Sequence, residues 1–202
     1  MKLAKTLSTL SVLALVLTTG CASNVKASRT DNPPPKEAYS KFGRIELKPA
    51  VLAPEFQGQS ANEKSLVKIN ANLEKRTAEH IKRWNSRASN GRTLILEPVV
   101  VDIRYIGVAA RIFAGPLAGS SGVVIKMKAS DAQTGQVIDN PEFYQRASAG
   151  AGFAVGVADN LMLTRVGELV GDYIIRNYDK AVGGSTGATH ELVDPNSKAA
   201  QK

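Results

Sequence analysis

Apolar residues recur along this chain in two periods, and each change of period predicts a change of element. Between Phe42 and Leu47, Ile45 and Leu47 alternate with Arg44 and Glu46. Strict alternation puts one set of side chains on each face of a strand. The segment therefore predicts a half-buried first strand, which ends before Pro49.

A stripe of residues at three- and four-residue steps then predicts a long helix. Ser60 and Glu63 fit a capping box at its start, and Asn90–Gly91 ends it. The stripe consists of Leu66, Ile69, Leu73, Thr77, Ile81 and Trp84. We expect Trp84 to be buried against the sheet.

Alternation returns after residue 92 and predicts three further strands before a second helix. The strands are Thr93–Tyr105, Gly122–Asp131, and a returning strand from Gln136 to Arg146 that is broken at Asn140–Pro141. Asp159 is placed to cap the second helix. Its apolar stripe is Met162, Val166, Leu169, Tyr173 and Ile174.

The order β-α-β-β-β-α leaves two helices with one apolar face each. A sheet with both helices on one face buries both stripes. We therefore predict an α+β fold, a two-layer sandwich with a mostly antiparallel sheet.

The N-terminus has the pattern of an export signal. Lys2 and Lys5 precede an uncharged, largely apolar run that ends at Cys21. Leu17-Thr18-Thr19-Gly20-Cys21 resembles the lipobox of bacterial lipoproteins, which implies that Cys21 carries acyl chains. Ala22 then implies the outer membrane, with the protein on its periplasmic face. The alternative is a free thiol after a simple signal peptide.

Composition divides the chain into four parts. Residues 1–20 are the predicted signal peptide, and residues 21–37, rich in Ser, Asn and Pro, are a predicted solvated, lipidated tether. Residues 38–181 form the predicted domain. Residues 182–202 offer no clear core positions and are predicted to be a disordered tail.

Charge and rare residues narrow the function. The net charge of +8 falls to +6 once Lys2 and Lys5 are removed, and an exported protein meets little nucleic acid, so we expect no nucleic-acid partner. One cysteine excludes an intramolecular disulfide. His80 and His190 stand in no context typical of a triad or a zinc site. We expect no enzyme activity, metal or cofactor.

Two weakly charged segments are the main candidates for contact with another molecule. Residues 106–125 contain a single charged residue, Arg111, and residues 147–158 contain none. Interface energy concentrates in a few large side chains. We therefore predict a contact surface of Phe153, Ile112 and Phe113. Burial in the domain's own core and contact with lipid are the alternatives, and the basic face of the first helix is another surface to consider.

The lipobox, the strand at Gly43-Arg44-Ile45, the Asp131…Thr134-Gly135 hairpin, the Gly/Ala run and the closing helix together resemble a family of bacterial outer-membrane lipoproteins with a domain of unknown function. The layout is also distantly similar to the periplasmic α/β domain of the curli secretion lipoprotein. This resemblance implies a protein that works by contact.

We therefore expect a membrane-anchored, periplasm-facing lipoprotein that acts by protein contact in envelope assembly or maintenance. Its partners would be the membrane, through the acyl chains on Cys21, and an envelope protein. A carrier of a small lipid or glycan is the alternative, and an apolar pocket would favour it.

Overall fold

A sheet of six strands carries the domain in the computed structural model, which describes residues 25–106, 119–147 and 157–197. The strands in chain order are β1 (Asp31–Asn32), β2 (Arg44–Leu47), β3 (Val51–Leu52), β4 (Thr93–Arg104), β5 (Ser121–Asp131), β6 (Val137–Asp139), β7 (Glu142–Ala147) and β8 (Gly184–Ser185). The helices are α1 (Ser60–Asn85) and α2 (Val157–Arg176). Strands β1 and β8 pair with each other, outside the six-stranded sheet.

Strands β4 and β5 form the antiparallel centre of the sheet. On one side, β2 and β3 both pair with β4 in parallel; on the other, β6 and β7 both pair with β5 antiparallel. Both helices pack on one face. The predicted α+β class, with a mostly antiparallel sheet and two helices on one face, is confirmed.

The stripe of α1 lies in the core as its spacing predicts. Ile69, Leu73 and Thr77 are buried, and Leu66 and Ile81 are partly buried. Trp84 is only 5% exposed, which confirms its predicted burial. Its ring stacks on that of Tyr178, with centroids 3.9 Å apart, so its main partner follows α2 rather than lying on the sheet.

The two helices run parallel and in close contact. A Cβ on Gly167 would lie 3.0 Å from the Asn72 Cβ, and one on Gly171 would lie 2.6 Å from Arg76 Cγ. The absence of side chains at these two positions of α2 therefore permits the close approach of α1. Farther along, Arg76 Nε donates to Asp172 Oδ1 at 2.5 Å.

The start of α1 differs in detail from the predicted capping box. Ser60 is the first helical residue, the N-cap is Gln59, and no side-chain cap bond forms there. Glu63 Oε1 instead accepts from the Gly58 N–H at 3.1 Å. The helix begins one residue earlier than the motif requires, so the serine lies inside the first turn.

The other face of the sheet is covered by the two terminal segments. Val25 and Ala27 are buried there with Val124, Tyr144 and Ala188 in a small second cluster. Val101, Leu192 and Val193 pack against its edge.

Residues beyond the predicted domain limits 38 and 181 thus pack onto the sheet, which differs from the expected solvated tether and disordered tail. These terminal segments are held to the sheet more by hydrogen bonds than by hydrophobic burial. Asn32 Nδ2 donates to the Glu142 carbonyl and Asn32 Oδ1 accepts from the Glu142 N–H, both at 2.8 Å. The hydroxyl of Thr186, which is fully buried, donates to the Thr30 carbonyl at 2.8 Å.

Candidate contact end of the domain

The two weakly charged segments leave the sheet from neighbouring strand ends. Arg104, near the end of β4, is in register with Gly122 of β5, and Gly122 is in register with Arg146 of β7. Ser121 is likewise opposite Ala147. The segment between β4 and β5 and the segment between β7 and α2 are therefore attached at one end of the domain.

The predicted contact residues belong to these segments. Ile112 and Phe113 lie between β4 and β5, and Phe153 lies between β7 and α2; all three are outside the described residues. Cys21, the predicted lipidation site, is outside them too. The structure therefore describes the strands and the helix that flank these segments, and the contact role of the three residues stays a prediction.

Both helices begin at this same end. The Tyr105 hydroxyl, just after β4, donates to the Ser65 hydroxyl in the second turn of α1. Lys68 Nζ donates to Asn160 Oδ1 in the first turn of α2 at 2.9 Å. We call this the contact end, defined by the end of β4, the start of β5, the end of β7 and the starts of α1 and α2.

Large apolar side chains are exposed on the helices at the contact end. Val67 of α1 is 70% exposed, and Val157 and Leu161 of α2 are 53% and 47% exposed. Single exposed apolar residues are common on monomers, whereas a grouping marks an interaction surface. The contact between Lys68 and Asn160 brings Val67 and Leu161 onto adjacent parts of the two helices.

The N-terminal segment also enters the fold at the contact end. Val25 occupies the space that a side chain on Gly122 would fill, because a Cβ there would lie 2.7 Å from the Val25 Cβ. Lys26 and Arg146 line an adjoining cavity of about 330 Å³, together with the acidic Glu191. The side chains of Lys26, Arg104 and Arg146 are all on exposed residues.

A smaller cavity of about 160 Å³ lies farther along the outer face, around the carboxylate of Glu142. Glu142 is buried, and its oxygens accept from the Ser28 N–H at 2.5 Å and the Ser28 hydroxyl at 2.8 Å; Lys126 Nζ lies 3.8 Å away. Asp102 lines the same cavity, and burial raises its pKa while Arg104 opposes that rise. Asp102 and Lys126 thus share the outer face of the sheet, and the Glu142 contacts fix the N-terminal segment in place.

A second buried carboxylate, Asp139, joins the sheet to α2. The hydroxyls of Tyr39 and Tyr173 each donate to Asp139 Oδ2 at 2.8 Å. Burial raises the pKa of Asp139, while the two tyrosine hydrogen bonds act in the opposite direction. Burial also raises the pKa of both tyrosines. These groups serve packing, since each carboxylate or hydroxyl is directed at another part of the fold.

A groove between β2 and α1 provides the place where a small ligand would fit between sheet and helices. Its volume is about 320 Å³, near the lower limit of roughly 300 Å³ for ligand pockets. Its lining combines apolar and polar residues, namely Leu47, Lys48, Pro49, Asn70, Leu73, Glu74, Thr77, Ala78 and Ile81. Such a mixed lining does not match the apolar pocket expected of a lipid carrier.

Neither histidine is among the residues that line these three cavities in the described part of the chain. His80 is on α1, with its Nδ1 3.0 Å from an Arg83 guanidinium nitrogen and its ring 5.6 Å from that of Trp84. His190 begins a short 3-10 turn that ends at Leu192. Within residues 25–106, 119–147 and 157–197, no three His, Cys, Asp or Glu side chains are grouped so as to hold a metal ion.

Neither helix in those ranges combines the length and apolar character that crossing a membrane requires.

Sequence comparisons give no assignment: no protein-family model and no curated protein matches this chain. Among solved structures, it is similar to the hypothetical protein CT253 from Chlamydia trachomatis, with 12% identity over 67% of this chain and 99% of that one and a TM-score of 0.40. A minor lipoprotein from Acinetobacter baumannii matches with 8% identity over 67% and 91% and a TM-score of 0.37. The PelC dodecamer from Paraburkholderia phytofirmans matches with 13% identity over 68% and 92% and a TM-score of 0.36. Likenesses of this size assign neither a family nor a function.

Sequence reasoning identified the two weakly charged segments but missed what surrounds them. The pattern along residues 22–36 contains Val25 as its one large apolar residue, so it gave no signal that this segment packs beside Gly122. The exposed Val67 and Leu161 stand outside the predicted stripes of their helices. An apolar residue outside the stripe of an amphipathic helix was the signal in the sequence that could have indicated a second apolar surface.

Proposed function

We propose that this protein is a lipid-anchored envelope protein on the periplasmic face of the outer membrane, where it acts by protein contact and not by catalysis. The anchor would be the acyl chains on Cys21. The contact surface would be the contact end, with Phe153, Ile112 and Phe113 from the two weakly charged segments and the exposed Val67, Val157 and Leu161 from the helices.

One observation carries this proposal. Two segments that are almost free of charge are attached at neighbouring strand ends, at Arg104 and Ala147, next to exposed apolar residues on both helix starts. Apolar surface that a fold leaves exposed in one place is typical of protein–protein interaction sites. The groove at Leu47 and Ile81 offers less, because it is small and its lining is mixed.

Anchoring is tested with Cys21→Ser. We expect this variant to lose palmitate labelling and to leave the membrane fraction, because each buried methylene of an acyl chain adds roughly 0.8 kcal/mol to membrane binding. Unchanged membrane association of the variant would contradict the anchor.

The contact surface is tested by crosslinking in intact envelope, followed by purification of the crosslinked protein. We expect Phe153→Asp and Leu161→Asp each to abolish a crosslink that the unaltered protein makes. Val51→Asp is the matched control, because Val51 is 51% exposed but lies on β3, away from the contact end. Loss of every crosslink in the control, or loss of none in the two test variants, would place the functional surface elsewhere.

A further inference from the structure

The N-terminal segment runs along the outer face in one direction. Val25 packs at Gly122, at the contact end, and Ser28 reaches Glu142, which is in register with Lys126 four residues farther along β5. Val25, at the contact end, is the first described residue of this segment, and we call it the departure point.

Little chain separates this departure point from the anchor. Cys21 precedes Val25 by four residues, and at about 3.3–3.6 Å per residue the two are at most about 14 Å apart. A free tether over residues 21–37 would reach about 55 Å by the same measure. Because residues 25–36 pack on the sheet, the domain can lie much closer to Cys21 than a free tether would allow.

The C-terminal segment holds this short connection in place. The Ala27 N–H donates to the Leu192 carbonyl at 3.1 Å, and the Asp194 N–H donates to the Ala27 carbonyl at 2.8 Å. Strand β1 has β8 as its strand partner. The residues after α2 therefore fix how close the anchor lies to the domain.

Basic side chains surround the departure point. Arg104 and Arg146 are the register neighbours of Gly122 on either side, so their side chains flank Val25 on the same face of the sheet. Lys26 follows Val25 directly, and Glu191 is the acidic residue in the adjoining cavity. Asp102 lies two residues before Arg104 on the same face of β4, so three cations stand against two carboxylates. The surplus positive charge matches a surface of lipid phosphates.

We propose that the contact end lies against the lipid headgroups of the membrane that holds Cys21, with Lys26, Arg104 and Arg146 facing the headgroup phosphates. This proposal rests on the proposed lipidation of Cys21. It also deepens the proposed function, because the basic side chains on the sheet side of the contact end face the headgroups. A protein that binds Val67 and Leu161 on the helix side must then itself lie at the membrane surface.

The experiment uses the lipidated full-length chain in vesicles of phosphatidylethanolamine and phosphatidylglycerol that contain a headgroup-linked nitroxide quencher. Leu161→Cys places a bimane label at the contact end, and Val137→Cys places the same label at the other end, near the turn after β5. Both positions are exposed, at 47% and 39%, and both carry an apolar residue in the native chain. The sulfur of an acylated Cys21 is a thioether and does not react with the label.

We expect the lipid quencher to reduce bimane fluorescence at position 161 and to leave position 137 unaffected. A flexible Gly/Ser spacer of about 20 residues inserted after Asn24 has a root-mean-square length of about 25 Å. It should abolish the quenching at position 161 without changing the fold. Lys26→Gln combined with Arg146→Gln should weaken that quenching.

Equal quenching at both positions, or quenching at 161 that survives the spacer, would overturn the orientation. A protein that carries no acyl chain and does not float with the vesicles would overturn the proposed anchor instead, and the orientation with it. Palmitate labelling and flotation, measured on the same samples, separate these two outcomes.

Discussion

The two faces of the sheet are covered in different ways. The helix face buries 26 apolar residues in one cluster within the described residues, whereas the outer face buries five. On the outer face, the terminal segments are held largely by side-chain hydrogen bonds such as those of Asn32, Thr186 and Ser28.

This difference implies different stabilities for the two coverings. Burial contributes about 25 cal/mol per Å² of apolar surface, so the helix face supplies most of the free energy of folding. A hydrogen bond contributes about 1 kcal/mol net, and regions with few apolar contacts open before the core does. The outer face, which holds the N-terminal segment near its anchor, should therefore open first.

The largest effect should come from Trp84→Ala on the helix face. Because the Trp84 ring is buried and stacked on Tyr178, its removal should lower the free energy of unfolding by about 3–5 kcal/mol. Urea unfolding measures the loss. Val67→Ala, at an exposed position of the same helix, is the control and should cost little. Tryptophan emission typical of fully hydrated indole in the unaltered protein would contradict the burial.

Asn32→Ala should have the next largest effect, and it acts on the outer face alone. It leaves the buried N–H and carbonyl of Glu142 without the partners that Asn32 supplies, which costs about 1–3 kcal/mol for an unsatisfied buried group. We expect faster proteolysis of residues 25–36, with the Trp84 emission unchanged. Asp31→Ala, at the exposed neighbouring position of β1, is the control. Equal proteolysis of both variants would show that Asn32 does not hold the segment.

Gly122→Ala, also on the outer face, should cause a smaller loss of stability. The added methyl group would lie 2.7 Å from the Val25 Cβ. Crowding of this kind costs about 1–3 kcal/mol of stability. We expect a value near the lower limit of this range, because a terminal segment can shift. Combining it with Val25→Gly, which removes the crowded Cβ, should restore part of the stability measured by urea unfolding. Purely additive losses in the double variant would mean that the two residues do not touch.

The smallest effect should be a change in acid stability at the end opposite the contact end. Arg92 hydrogen-bonds the carboxylates of Glu37 and Asp131 and thereby lowers the pKa of each from ordinary values of 4.5 and 3.8. A lowered pKa in the folded state stabilises the fold above the ordinary pKa, and this contribution disappears as the pH falls through the lowered value.

Arg92→Met should therefore flatten the loss of stability on acidification below about pH 4.5, relative to the unaltered protein. Urea unfolding at a series of pH values measures the slope. Arg44→Met is the control, because Arg44 is an exposed arginine of β2 outside this group. The raised pKa values of Asp102 and Asp139 contribute equally to the pH dependence of stability in Arg92→Met and in Arg44→Met. Identical slopes for Arg92→Met and the unaltered chain would contradict the role of Arg92.

Local pattern determined much of this protein. The alternation at Ile45 and Leu47, the stripe from Ile69 to Trp84 and the breaks at Pro49 and Pro141 predicted the order of elements and the α+β class, because side-chain period depends on local backbone geometry. The near absence of charge in two segments is likewise a property of the amino-acid sequence alone, and it marks them as candidates for contact.

Tertiary structure alone decided what covers the outer face and which features meet at the contact end. Residues 25–36 and 182–197 have no apolar period, and they are held by hydrogen bonds between groups more than a hundred residues apart, such as Asn32 with Glu142 and Thr186 with Thr30. Pairings of this kind leave no local signal, since a lone asparagine or threonine is equally typical of a solvated loop. The adjacency of Gly122, Arg104 and Arg146 likewise depends on strand register, which side-chain period does not fix between strands that are distant in sequence.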